Sequence, residues 1–402
     1  MKKILIIDHF SQTPDEPGNN RFTYLAEMLC EAGYQVEIIT TTFSHKAKKQ
    51  RSVPPELFEK LPYQYTMLPE PGYPKNVCLT RFYSHFIFGR NLGRYLASVE
   101  KPDLVYVAVP SLDAGVAAAD YCRRTHVPLI VDIQDLWPEA FKLVLHIPVI
   151  SDLLFLPMTW QADRFYAQAD RIIAVSETYK ERGLRNQKND RRGLCVYLGT
   201  DLRQFDESSQ SFPIEKRSDE LWVSYAGTLG LSYNLELIMD AFNRISDVLQ
   251  IHVVFNVFGD GPYLNRFRAY AENCRVPVRF FGRVGYPQMA AYLCKSDIAV
   301  NPITKGAEQS IINKHADYAA AGLPVVSTQE CEEYRSLIEA YGCGINCGVE
   351  STEQVAAAIM ELIAHPEKRR QMGANARKMA EEKFDRSRTY QQILCEINQL
   401  VG

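Results

Sequence analysis

The stretch Gly306-Ala-Glu-Gln-Ser-Ile-Ile-Asn-Lys-His-Ala-Asp-Tyr-Ala-Ala-Ala-Gly-Leu-Pro-Val-Val326 reads as helix, stop and strand in succession. Asn313 stands as a cap ahead of a helix that carries Ala316, Ala319 and Ala320. Gly322 ends that helix, and Pro324 opens an apolar strand. A helix this small-sided can lie close against a sheet. Helix, tight turn and buried strand in this order are half of a strand–helix–strand unit, the building block of a parallel sheet.

The same alternation recurs on both sides of this stretch. Lys3-Ile-Leu-Ile-Ile7 reads as a buried strand, and Phe22, Leu25, Leu29 and Ala32 share one helical face after it. Gly33 stops that helix before the strand Val36–Thr40. Further strands are expected at Leu104–Val109, Pro128–Ile133 and Arg171–Ser176. A second series starts at Leu221–Gly227 and continues at Ile251–Phe258, Val278–Phe281, Asp297–Asn301 and Pro324–Ser327. Residues 180–220, charged and then polar, read as the connection between two domains. After about residue 352 the pattern is helical to the end. The class is α/β, with two doubly wound parallel-sheet domains whose ligands bind at the carboxyl ends of the strands.

Composition excludes several alternatives. At 402 residues the chain is long enough for two to three domains of about 150 residues each. A 46% hydrophobic and 23% charged composition is that of an ordinary globular protein. The formal charge of -3 gives no global attraction to nucleic acid, so an anionic partner must be met by a local site. The run Ile4–Ile7 after Lys2 and Lys3 is too short for the apolar core of an export signal. The ten cysteines are therefore expected reduced, in the cytoplasm. Cys343 and Cys347 flank Gly-Ile-Asn, but no His/Cys spacing suits zinc.

Residues 71–99 contain no Asp or Glu but hold Lys75, Arg81, Arg90 and Arg94 among aromatics. Phe82, Phe86 and Phe88 with Arg81, His85 and Arg90 suit either an amphipathic helix on an anionic membrane or a core-packed helix with a basic edge.

Several turns are candidate anion sites. Gly227-Thr-Leu-Gly230 and Gly259-Asp-Gly-Pro262 each follow a strand and precede a helix, whose start offers free N–H groups. Gly18-Asn-Asn20 does so in the first half. All three also read as ordinary tight turns. Lys314 sits at a helix start, where a cation opposes the dipole; an anion beside it would account for the placement. Asp317 can accept two hydrogen bonds from a ribose diol. A solvated lysine and a first-turn acid are the plain alternatives. Asp132-Ile-Gln-Asp-Leu-Trp-Pro-Glu139 closes a strand, with Trp137 suited either to a sugar platform or to the core.

Together these segments resemble the retaining glycosyltransferases of family 4. The motif Asn313-Lys314-x-x-Asp317-Tyr318-x-x-x-Gly322-x-Pro324-Val325 carries the resemblance most strongly. Pro17-Gly18, Asp132–Glu139, Ala174–Glu177, Gly199-Thr-Asp201-x-x-x-Phe205, Tyr225–Gly230, Gly259-x-Gly-Pro262 and Phe281-Gly-Arg283-Val284 support it in order. The Asp-Leu-Trp-Pro segment resembles that of bacterial surface-polysaccharide transferases.

The resemblance implies the GT-B fold: a first domain over 1–205 on the acceptor side, a nucleotide-sugar domain over 206–380 and a C-terminal helix over 381–402 returning to the first. Two Rossmann-like domains would then face a cleft. It implies a ribose contact from Asp317 and diphosphate contacts from Ser310, Ile311, Ile312, Gly18 and Asn19. Lys314 would lie nearby, with Gly227, Thr228, Gly259 and Gly261 in the donor-side turns and Arg283 by the base. Gln134, Asp135 and Lys314 are the expected catalytic group, with no base assigned.

Three departures stand out. Gln309, beside Glu308, occupies the position of the family's first acid. Gln134-Asp135 replaces a His-Asp pair, and no Lys or Arg lies between Gly227 and Asn234. The implied reaction moves a sugar, from a UDP-linked donor, to a glycan or lipid-linked acceptor in envelope polysaccharide synthesis. No cofactor or metal is expected. The expected location is the inner face of the cell membrane. A nucleotide-sugar epimerase and a non-catalytic nucleotide-sugar-binding partner of a membrane complex are the alternatives.

Overall fold

The computed structural model describes the chain apart from residues 17–20, 77, 145–149, 188–191 and 308–310, with backbone only at 142–144 and 150–152. The chain divides into two units. The first comprises Met1–Val196 and Tyr390–Gly402; the second is Tyr197–Thr389.

In the first unit seven strands form one sheet: β1 (Lys3–Ile7), β2 (Gln35–Thr41), β3 (Gln64–Leu68), β4 (Leu104–Val109), β5 (Leu129–Ile133), β6 (Arg171–Ala174) and β7 (Gly193–Cys195). Their order is β3-β2-β1-β4-β5-β6-β7, and every pairing is parallel. The winding reverses between β1 and β4, the place where such sheets receive ligands. Helices α1 (Arg21–Glu31), α2 (Leu79–Ser98), α3 (Leu112–Thr125), α4 (Glu139–Val144) and α5 (Ile150–Tyr166) accompany the strands. Successive residues of β1 point to opposite faces. Leu5 and Ile7 therefore join a core with Phe88, Leu92 and Phe165, whereas Ile4 and Ile6 join Leu25, Leu29 and the C-terminal Ile393 and Ile397.

The second unit has six parallel strands: β8 (Glu220–Ala226), β9 (His252–Phe258), β10 (Val278–Gly282), β11 (Ile298–Asn301), β12 (Val325–Ser327) and β13 (Gly344–Asn346). Their order is β10-β9-β8-β11-β12-β13, again reversing beside its first strand. The helices that shape its site are α6 (Leu202–Ser211), α7 (Tyr286–Lys295) and α8 (Asn313–Ala320).

The polar segment 180–220 does more than connect. Gly193–Cys195 is the edge strand β7, only half-buried, so it lacks an apolar run. Asp201 caps α6 through the Gln204 N–H, and Leu202 and Phe205 pack with Ala290 and Leu293 of α7 in the second unit. That packing puts the changeover after Val196 rather than at 205. Cys343 and Cys347 flank β13 and are both buried.

Helix α2 is core-packed along one stripe, and the aromatic and basic residues of 81–90 do not all share one surface. Arg81, Ser84, His85, Phe88, Leu92 and Leu96 form the buried stripe, while Phe86 and Arg90 lie outside it. The helical period of 3.6 separates residues that are close in sequence.

Candidate functional site

In the second unit, helix α8 meets the carboxyl end of β8 at the reversal. The Tyr318 hydroxyl accepts from the Ala226 N–H at 2.8 Å, tying the helix to the strand end. Asn313 is the first helical residue and not the cap; Ile312 precedes the helix, and its N–H donates to His315 Nδ1 at 3.1 Å. The Ile312 N–H, expected on a diphosphate, thus has a partner within the turn. Ile311 is a core residue. Glu308, Gln309 and Ser310 lie outside the described residues, as do Gly18 and Asn19.

Lys314 is not a solvated surface group. It is 7% exposed, and among the described residues its Nζ has no hydrogen-bond partner. It rests over two aromatic faces, 4.0 Å from the Tyr233 ring centre and 4.9 Å from that of Tyr225. These two tyrosines bracket the Gly227–Gly230 turn. Burial pushes the amine well below its ordinary pKa. Ring faces attract a cation but do not replace its hydration shell.

Asp317, one turn along, is also buried, and so is not a solvated first-turn acid. Tyr286 donates to its Oδ1 at 2.9 Å, and Thr200 pairs with Tyr286 at 2.9 Å. Burial raises its carboxyl to about 6, against hydrogen bonds from Tyr286 and Thr200 and the charge of Arg386.

The glycine turns fit one another. A Cβ on Gly259 would lie 1.8 Å from the Gly227 carbonyl oxygen, and one on Gly261 would lie 2.3 Å from that of Leu229. The Gly227 N–H bonds Phe258 O at 2.9 Å, and the Leu229 N–H bonds Asp260 O at 3.0 Å. These glycines are needed so that two main chains can touch, whatever else binds there. Thr228 and Arg283 are exposed.

In the first unit, the loops after β1, β4 and β5 enclose a cavity of about 360 Å³ lined by Phe10, His45, Arg81, Asp135, Trp137 and Phe141 among others. Arg81 lies 4.5 Å over the Trp137 ring, which also stacks on His85. Trp137 is buried at 5% exposure, as the core reading has it, and it also walls this cavity. Burial raises the Asp135 carboxyl against hydrogen bonds from Leu136 and Trp137 and the charge of Arg81. Gln134 Nε2 is buried without a partner among the described residues.

Asp132, the first acid of that segment, is sealed in the core. It accepts from Arg21 Nε at 2.8 Å and from the Tyr106 hydroxyl at 2.6 Å.

Sequence reasoning missed a network beside this cavity. His9 Nδ1 pairs with Ser111 Oγ at 2.8 Å, and its Nε2 pairs with Glu70 Oε1 at 3.0 Å. Thr41 and Ser84 also donate to Glu70. The connectivity is that of a hydrolytic triad, but Ser111 is buried at 1% exposure and cannot be reached by a substrate. It is a brace. Burial pushes Glu70 up, but the hydrogen bond and charge of His9, with Ser84 and Thr41, hold it below the usual range. Residues 9, 70 and 111 are too far apart in sequence for any local pattern to join them. Tyr286 and Thr200 were missed for the same reason.

Residues 18–204 match the model of Glycosyltransferase Family 4, and residues 206–379 match that of Glycosyl transferases group 1. The chain belongs to the family 4 type of GT-B glycosyltransferases. Among solved structures, sucrose-phosphate synthase from Thermosynechococcus elongatus is 16% identical, over 100% of this chain and 99% of that chain, at a TM-score of 0.72. Anabaena Alr3699/HepE in complex with UDP is 15% identical, over 99% and 100%, at 0.71. WaaG, a glycosyltransferase involved in lipopolysaccharide biosynthesis, is 14% identical, over 97% and 98%, at 0.65. These likenesses establish the GT-B fold. No curated protein matches the chain.

Proposed function

We propose that this glycosyltransferase moves a sugar from a UDP-linked donor to a glycan or lipid-linked acceptor in envelope polysaccharide synthesis, as a peripheral protein at the inner membrane face. One observation carries the reading. Lys314 is a buried cation-forming group with no hydrogen-bond partner among the described residues, resting over the rings of Tyr225 and Tyr233 that bracket the glycine turn, with a buried carboxylate on the same helix. A diphosphate beside Lys314 would restore its charge, and a ribose diol would suit Asp317. Alr3699/HepE has been crystallised with UDP and with UDP-glucose, which supports the choice of base. The Asp-Leu-Trp-Pro segment supports the polysaccharide role.

In the proposed reaction the bond from the anomeric carbon to the diphosphate oxygen breaks while a bond to the acceptor oxygen forms on the same face. The acceptor proton passes to the leaving phosphate. Negative charge grows on that phosphate, so a fixed cation there stabilises the transition state more than the ground state. Lys314 supplies it, and no step requires a metal. The Trp137–Phe10–Phe141 cavity offers aromatic faces to the acceptor sugar, with Asp135, Arg81 and His45 as its polar groups.

The test is a panel of UDP-, GDP- and dTDP-sugars with candidate acceptors, read by product formation and by nucleotide protection against thermal unfolding. Transfer from a UDP-sugar, abolished by Asp317→Ala, is expected. Absence of both transfer and protection would refute the reading. An epimerase would convert donor with no acceptor present, visible by NMR.

A further inference from the structure

The aromatic cavity of the first unit carries positive charge at one end. Arg81 reaches it from α2 and is 9% exposed. Its guanidinium lies among rings, 4.5 Å from the centre of Trp137, 5.4 Å from that of Tyr73 and 5.9 Å from that of Phe10. Nη1 donates to the Asn76 carbonyl at 2.8 Å, and Nε is buried with no partner among the described residues. Two more basic groups stand beside it. His45 lines the same cavity, and its Nδ1 pairs with the Tyr73 hydroxyl. Lys48 Nζ lies 4.8 Å over the Tyr73 ring and 3.3 Å from His45 Nδ1. Burial and the charge of Arg81 lower the Lys48 amine. Burial, with the charges of Lys48 and Arg81, lowers the His45 imidazole to about 4. The three groups thus oppose one another's charge, which an anion among them would relieve.

The acids nearby do not supply that anion. Glu70 is taken up by His9, Thr41 and Ser84. Asp135 lines the cavity and its charge favours Arg81, but no salt bridge joins them among the described residues, and burial raises its carboxyl.

We propose that Arg81, His45 and Lys48 form a phosphate subsite, and that the acceptor is a sugar bearing a phosphoryl group. The proposal rests on the transferase reading and deepens it by naming the acceptor's class. A guanidinium, an imidazole and an ammonium together offer more donors than a carboxylate's two oxygens and single charge can use; a phosphate has further oxygens and up to two charges. With the phosphate at Arg81, repulsion keeps it from Asp135, which is left to accept from the sugar hydroxyls. The rings of Trp137, Phe10 and Phe141 suit the apolar face of the sugar. A volume of about 360 Å³ is at the small end of ligand sites, as one substituted monosaccharide requires. The phosphate is either that of a free sugar phosphate, a monoester, or that of a lipid-linked sugar, a diester.

The test uses Trp137 emission in the full chain carrying Trp160→Phe, which removes the exposed tryptophan. UDP is kept saturating so that the nucleotide side is filled. Two pairs of probes are titrated: glucose against glucose 1-phosphate, and dodecyl glucoside against the dodecyl phosphodiester of glucose 1-phosphate. In at least one pair the phosphate should bind tenfold or more tightly, and the pair that does so identifies the source. Arg81→Gln should abolish that preference while the neutral sugar keeps its affinity within about twofold. Lys48→Gln, at a half-buried position, should reduce the preference about threefold and decides the matter if Arg81→Gln does not fold. Equal affinity within both pairs, a preference that survives these substitutions, or glucuronic acid binding as tightly as the phosphates would overturn the proposal. A parent that gains no thermal stability from UDP refutes the donor reading instead, and the titrations still decide the subsite.

Discussion

Each unit buries charge near the reversal of its sheet, but the two do so differently. In the first unit Arg21 meets Asp132, which Tyr106 also engages, and His9 meets Glu70, Ser111 and their neighbours. In the second, Lys314 is buried against tyrosine rings and has no counter-charge among the described residues. A buried pair that satisfies itself holds a scaffold together. A buried cation left unsatisfied costs stability, and the cost is understandable where a substrate anion completes the site.

The sharpest test breaks the paired side. Asp132→Ala strands the Arg21 guanidinium in the core and should destabilise the first unit by about 3–5 kcal/mol, measured by chemical unfolding. Lys314→Met should do the reverse on the second: unchanged or higher stability, with kcat lowered about 10²–10³-fold. Equal loss of stability in both variants would erase the contrast.

Asp317→Asn sharpens it further. Nucleotide binding should weaken by about 1.5–3 kcal/mol in calorimetry, as a charged acceptor becomes a neutral one. Its folded pKa, at about 6, lies above the ordinary 3.8. The native form therefore takes up the proton first, and acidification from neutral pH through 6 should stabilise the fold as far as this group is concerned. Asp8, raised to about 7 by burial, acts in the same direction in the first unit, so the difference between parent and Asn variant isolates Asp317. The smallest effect is on affinity: UDP binding should fall as pH drops below about 6, and the Asn variant should lose that dependence.

Much of this was legible in the sequence for a simple reason. Parallel strands covered on both faces must be apolar throughout, so β1, β4 and β11 announce themselves as runs. Strands β3, β7 and β13 did not, because edge strands need no such run; β7 and β13 are only half-buried. The helix around Asp317 was readable from Gly322 and Pro324, yet its burial was not, since that depends on Tyr286 and Thr200 from distant segments. The exposed leucines of α5 were hidden in another way. Whether they are covered depends on where the fold places that helix, and they stand exposed among the described residues.

The meeting of Gly227 with Gly259 has an evolutionary corollary. Where two backbones abut with no room for a methyl group, mutation has almost nothing to vary. Change along this rim must therefore work through neighbours such as Thr228 or Arg283, whose exposed side chains have room to vary. The backbone junction beside them is frozen architecture.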